Sequence, residues 1–233
     1  MGSDDLFHKK RERTANDLKR KKTTLSNPAR PPQLRILIVC EDSKSSVFYF
    51  DSMAKDLRLS AVEVRGKECG SAPSSVLTYA KEQYEKSKRD GNTYDAVYCV
   101  FDRDKHTCFD ATVEAIKTLN VGKKPFFAIT SMPCFEYWLL LHFQSDASPY
   151  AVAGDKSICD CANSKLQIHW QAAFGDLYGK RKRDIYPNLK GDKGTVAIQH
   201  AKQLMADNLK NASVNPQTNI HELVEYLQSL SKK

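Results

Sequence analysis

Three carboxylates sit where two short apolar runs stop. Arg35-Ile-Leu-Ile-Val-Cys-Glu41 ends at Glu41, and Asp95-Ala-Val-Tyr-Cys-Val-Phe-Asp-Arg-Asp104 ends at Asp102 and Asp104. Mg²⁺ and Mn²⁺ take hard oxygen ligands, and Mg²⁺ is commonly held by one or two carboxylates, waters and a substrate phosphate. Asp-x-Asp on an extended chain puts both carboxylates on one side, so Asp102 and Asp104 can share a metal or its water shell. Glu41 on a neighbouring strand end can complete that site or move a proton on a phosphodiester. An Asp-x-Asp pair alone also occurs in solvated turns. Two acidic strand ends in one chain are the more specific signal.

Strands and helices in alternation would bring these ends together. Near-continuous Val/Ile/Leu runs read as buried parallel strands, and open α/β sheets place their sites beyond the carboxyl ends of such strands. The first strand is expected at 35–40, with a helix from Ser43 to Leu57. Leu59 to Arg65 alternates as a second strand, and a helix opening at Pro73 runs to about Lys88. Asp95 to Phe101 is the third strand, followed by a helix through Leu119. Phe126 to Thr130 is the fourth. Pro133 then fits the first turn of an apolar helix running through Phe143. The expected fold class is therefore α/β, a mostly parallel four-stranded sheet flanked by helices. The division is a basic arm and linker over 1–33, an α/β domain over 34–145 and a helical, basic C-terminal extension over 146–233. In that extension 154–160 reads as irregular, Ala162–Phe174, Gly194–Leu209 and Ile220–Leu230 as helices, and 211–219 as a loop.

A net charge of +8 over 233 residues, with 41% hydrophobic residues, describes a globular protein suited to a polyanionic partner. Basic residues concentrate in the arm and in Lys180, Arg181, Lys182 and Arg183, with Lys190 and Lys193 beyond. Tyr178 and Tyr186 flank this burst, a pattern suited to tracking a nucleic-acid backbone. The seven cysteines are scattered, and the N-terminus is charged from Asp4 onward, which fits a reducing cytosol and no secretory leader. Cys159 and Cys161 with His169 lack the usual zinc spacing. No apolar run approaches the ~20 residues of a membrane span.

Other residues fall near the acidic edge. Glu136, early in the helix after the fourth strand, can reach it as a catalytic carboxylate or serve as a first-turn acid. His142 on that helix reads chiefly as structural, and His221 as packing the last helix. His106 follows Asp104 closely enough to touch metal or substrate. Ser43 and Lys44, at a helix start, can cap it or bind a phosphate oxygen.

These residues also carry a resemblance. Ile36-Leu-Ile-Val-Cys-Glu41, Tyr49-Phe50 on the following helix and Val100-Phe-Asp-Arg-Asp104 resemble the Toprim domain of topoisomerases, primases and related nucleases. Leu6-Phe-His-Lys-Lys-Arg-Glu-Arg13, Ser131-Met-Pro-Cys-Phe-Glu-Tyr-Trp-Leu-Leu-Leu-His-Phe143 and Asn215-Pro-Gln-Thr-Asn-Ile-His-Glu-Leu-Val-Glu225 resemble the RloB family, also called AbiLii-like. The resemblance covers nearly the whole chain. It implies a bacterial, cytoplasmic Toprim nuclease of antiphage defence, acting on DNA or RNA (tRNA included). An ATPase or restriction-modification component encoded nearby would be its partner. It implies Glu41 as general acid/base and Asp102 with Asp104 as the Mg²⁺ or Mn²⁺ pair. Two residues depart from the pattern: Asp42 stands where glycine is usual, and Met132 where a small or amide residue is expected. The rival readings are a non-catalytic nucleic-acid-binding or sensor module and a primase-like nucleotidyl transferase. Nothing in the chain resembles a nucleotide-binding loop.

Overall fold

The structure, a computed structural model, describes residues 34–103, 106–122 and 124–231. The basic arm (1–33), including the Leu6–Arg13 stretch, and Asp104 lie outside the described residues. The first part of the chain alternates as β1 (Ile36–Cys40), α1 (Ser45–Asp56), β2 (Val62–Arg65), α2 (Pro73–Arg89), β3 (Ala96–Asp102), α3 (Phe109–Val121) and β4 (Phe126–Met132). There follow α4 (Phe135–Leu140), α5 (Ile158–Phe174), α6 (Ile185–Leu189), α7 (Asp192–Asn211), β5 (Gln217–Thr218) and α8 (Ile220–Ser231).

The sheet has five strands in the order β2-β1-β3-β4-β5, where four were expected. β1 pairs in parallel with β2 and β3, and β3 with β4; β5 runs antiparallel to β4. The fifth strand is two residues long, too short for any alternation to announce, and lies inside the stretch read as a loop. Asn219 anchors it. Its Oδ1 accepts from Thr130 N (2.7 Å), its Nδ2 donates to Ala128 O (3.1 Å), and its own N–H donates to Thr130 O (3.2 Å). The asparagine thus acts as a further strand residue along β4. Asn219→Ala leaves strand groups without these partners, and equilibrium chemical denaturation should show a loss of about 1–3 kcal/mol.

The period of two sorts each strand between two cores. Ile36, Ile38 and Cys40 face a core with Tyr49, Phe50, Trp138, Leu166, Trp170 and Leu223. Leu37 and Val39 face the other, with Val76, Leu77, Ala80, Phe101 and Ile116. All five β1 side chains are fully buried because helices cover both faces. The first core draws on residues from β1 through α8, so the C-terminal helices and the sheet share one apolar interior.

Several element limits differ from expectation. Pro133 lies ahead of α4, not in its first turn. Cys134, extended at φ −160° and ψ 175°, is the N-cap, and the helix stops at Leu140. α5 begins before Ala162 because Ser157 and Asp160 form a capping box: Ser157 Oγ accepts from Asp160 N (3.1 Å), and Ser157 N donates to Asp160 Oδ2 (3.0 Å). That Ser-x-x-Asp signal is legible in the sequence. No helix among the described residues is long and apolar enough to cross a membrane.

Candidate active site

Glu41 is the first residue past β1. Its N–H donates to Val100 O (2.9 Å), carrying the β1–β3 ladder one step further, and its Oε2 accepts from Asp102 N (2.9 Å). One side chain therefore ties the carboxyl ends of the two strands. Asp102 closes β3, opposite Ser131 of β4. His106 Nε2 stands 3.7 Å from Glu41 Oε1, the carboxylate oxygen that does not bond the Asp102 amide. A cavity of about 450 Å³ opens here, lined by Glu41, Asp42, Ser46, Asp102, His106 and Phe135 among others.

Asp42, in place of the usual glycine, caps α1. Its Oδ1 accepts from Ser46 N (3.3 Å) and from Ser46 Oγ. Glycine is instead required at Gly66, where a Cβ would stand 2.3 Å from Asp42 O and 2.4 Å from Val47 Cγ2. The loop after β2 passes that closely behind residue 42 only without a side chain. Lys44 is the N-cap residue of α1 without a side-chain cap, while Ser45 and Ser46 turn inward and are buried.

Glu136 occupies the first turn of α4 and is 2% exposed. Its Oε1 accepts from Ser45 Oγ (2.9 Å) and Tyr178 OH (3.2 Å) and pairs with Lys180 Nζ at 3.2 Å. Asp102 is held well above the usual carboxylate range, by burial first and then by the negative charges of Glu136 and Glu41 beside it. A carboxyl that resists ionisation is relieved by a cation, and the hard oxygens of Glu41 and Asp102 suit Mg²⁺ or Mn²⁺. Among the described residues no group of three or more His, Cys, Asp or Glu side chains is placed to hold a metal. Glu41 and Asp102 are the two carboxylates brought to this edge among the described residues, and Asp104 lies outside them.

The basic burst does not form one open surface. Lys180 turns to Glu136. Lys182 pairs with Asp176 and lies 5.8 Å over the Trp170 ring. The Arg183 guanidinium lies 5.4 Å over Phe48, and its carbonyl accepts from Ser52 Oγ (3.2 Å). Lys190 pairs with Asp56 at 2.6 Å, and Lys193 lies over Phe174. Arg181 is exposed. Tyr178 and Tyr186, expected as stacking groups beside these cations, are buried.

His142 is a core residue. Its Nδ1 bonds Trp138 O at 3.0 Å, its ring packs edge-on to Trp138 at 4.9 Å, and burial pulls its pKa down to about 4. His221 is likewise buried in α8. The zinc reading does not assemble: His169 stacks on Phe143, while Cys159 Sγ and Cys161 Sγ reach Pro133 O and Ala151 O. The seven cysteines, all among the described residues, form no disulfide.

A family model described as RloB-like protein matches residues 36–227. No curated protein and no solved structure matches the chain.

Proposed function

The chain belongs to the RloB-like family, and on that premise we propose that it is a Toprim-type nuclease. It cleaves nucleic-acid phosphodiester bonds with Mg²⁺ or Mn²⁺, in antiphage defence. The observation carrying the proposal is the convergence of Glu41 and Asp102 at one cavity on the carboxyl edge of the parallel strands. Asp102 and Asp104 would hold the metal, with Glu41 beside it. Bound there, the metal supplies positive charge to the scissile phosphate and the leaving oxygen. Glu41, whose Oε2 accepts from the Asp102 amide and whose Oε1 faces His106, exchanges a proton with solvent or substrate. His106 sits where it can orient that oxygen. Phe135 and Val100 line the cavity wall.

Purified protein incubated with DNA, RNA and tRNA is expected to cut at least one of them with Mg²⁺ or Mn²⁺, and to stop on chelation. Metal binding should also register without any substrate. A ligand held only by the folded state at 100 times its Kd stabilises by about 2.7 kcal/mol. Millimolar Mg²⁺ or Mn²⁺ should therefore raise the unfolding temperature of the wild type by several degrees, and not that of Asp102→Asn. A non-catalytic binding or sensor module makes the opposite prediction: no cleavage with any metal, and defence retained in Asp102→Asn.

A further inference from the structure

We infer that Lys180, carried in by the C-terminal segment, is the cation of this site that contacts the substrate phosphate, and that Glu136 positions it. The inference rests on the nuclease reading above and assigns a residue that the carboxylate triad does not include.

Glu136 is almost wholly buried, and a buried carboxylate is costly unless it is paired and hydrogen-bonded. Ser45 Oγ, Tyr178 OH and Lys180 Nζ all converge on Oε1. Glu136 thus commits that oxygen to three donors. It is well built to hold an ammonium in place. Lys180 differs from its partner in exposure: its side chain is 49% exposed while that of Glu136 is 2% exposed. The ammonium is fixed on Glu136, and about half of the side chain that carries it is open to solvent.

The charge balance points the same way. Glu41, Asp42, Asp102 and Glu136 all bear on this edge, and Asp102 feels Glu136 as the strongest of its neighbouring charges. A nucleic-acid backbone entering here meets repulsion that must be offset. Within 180–183, Lys182 and Arg183 are turned to Asp176 and Phe48, whereas Lys180 is turned to the acidic edge. Its ammonium is held charged: burial works against the proton, and Glu136, Cys134 and Asp102 more than offset it. A lysine is a compact point charge with three donors, suited to a single non-bridging phosphate oxygen.

The test compares wild type, Lys180→Met, Lys180→Arg, Glu136→Gln and the double variant Glu136→Gln/Lys180→Met. Single-turnover cleavage and oligonucleotide affinity over a salt series are measured for each, after a thermal melt confirms folding. Lys180→Met is expected to slow cleavage at least about 100-fold, with affinity changed less than about fivefold and the salt slope reduced by about one. Lys180→Arg should recover part of the rate. The double variant should stay as slow as Lys180→Met, because removing the buried charge does not replace the phosphate contact. Wild-type rate in Lys180→Met, or restored rate in the double variant, overturns the inference and leaves the nuclease reading standing. If wild type cuts nothing, the nuclease reading fails and binding decides. Unchanged affinity and salt slope in Lys180→Met then overturn the phosphate contact, and a slope lower by one supports it.

Discussion

Glu41→Gln and Asp102→Asn are each expected to lower the proposed metal-dependent cleavage at least about 100-fold, the scale for loss of an acid/base group or a metal ligand. The fold survives both changes. In Glu41→Gln the side-chain amide retains an oxygen at the position that accepts from the Asp102 amide, so the clasp between β1 and β3 persists. Asp102→Asn keeps the donating backbone N–H and removes a carboxyl that burial and the neighbouring carboxylates hold above its ordinary range. The unfolding temperature of Asp102→Asn should therefore equal or exceed that of metal-free wild type, the pattern of a residue kept for function at some expense of stability. Single-turnover cleavage beside thermal melts on the same preparations checks both halves. A variant that loses activity only because it unfolds, or one that cuts at the wild-type rate, would sink the assignment.

Trp170→Ala is expected to have the largest effect on stability among the variants considered, though it lies outside the cavity wall. Trp170 is fully buried on α5. Its ring meets Phe174 at 4.7 Å, Tyr178 at 5.3 Å and Phe143 at 6.4 Å. Its Nε1 donates to Asp176 Oδ1 (3.0 Å), and Lys182 lies over its face. Truncating a buried tryptophan costs about 3–5 kcal/mol, which for a chain of this size lowers the melting temperature by roughly 10 °C. The same contacts seat residues 176–182, which bring Tyr178 and Lys180 onto Glu136. Cleavage should accordingly fall more than tenfold at a temperature where the variant is still folded. Ile168→Ala, on the exposed face of the same helix, should change neither quantity measurably. Full activity in folded Trp170→Ala would show that this segment reaches the site without the tryptophan.

Much of the frame was legible because it is encoded locally. The apolar runs at Ile36–Cys40 and Ala96–Phe101 could be read as strands since both faces of each are covered, which leaves an unbroken hydrophobic signature. The helices between them show their inner stripes, and Pro73 marks the start of one. From that alternation the meeting of Glu41 and Asp102 follows, since parallel strands with right-handed crossovers put successive carboxyl ends on one edge. The strand Gln217–Thr218 was not legible: two residues carry no period, and Asn219, which holds them to β4, reads as an ordinary loop asparagine. The start of α5 was legible in Ser157 and Asp160 but was hidden by the irregular composition just before it.

By itself, then, the sequence determined an alternating α/β frame with two strand ends in acid, because strand periodicity and helix signals are properties of neighbouring residues. Only the tertiary structure decided what the basic burst does. Lys180, Lys182 and Arg183 share one run of chain, yet they meet Glu136 on α4, Asp176 in their own connecting segment and Phe48 on α1, and composition treats them alike. The tertiary structure also decided that Glu136 takes its donors from Ser45 and Tyr178. Those partners are far apart in sequence, and what joins them is the cost of burying a charge unpaired, which is settled only once the helices have packed on the sheet.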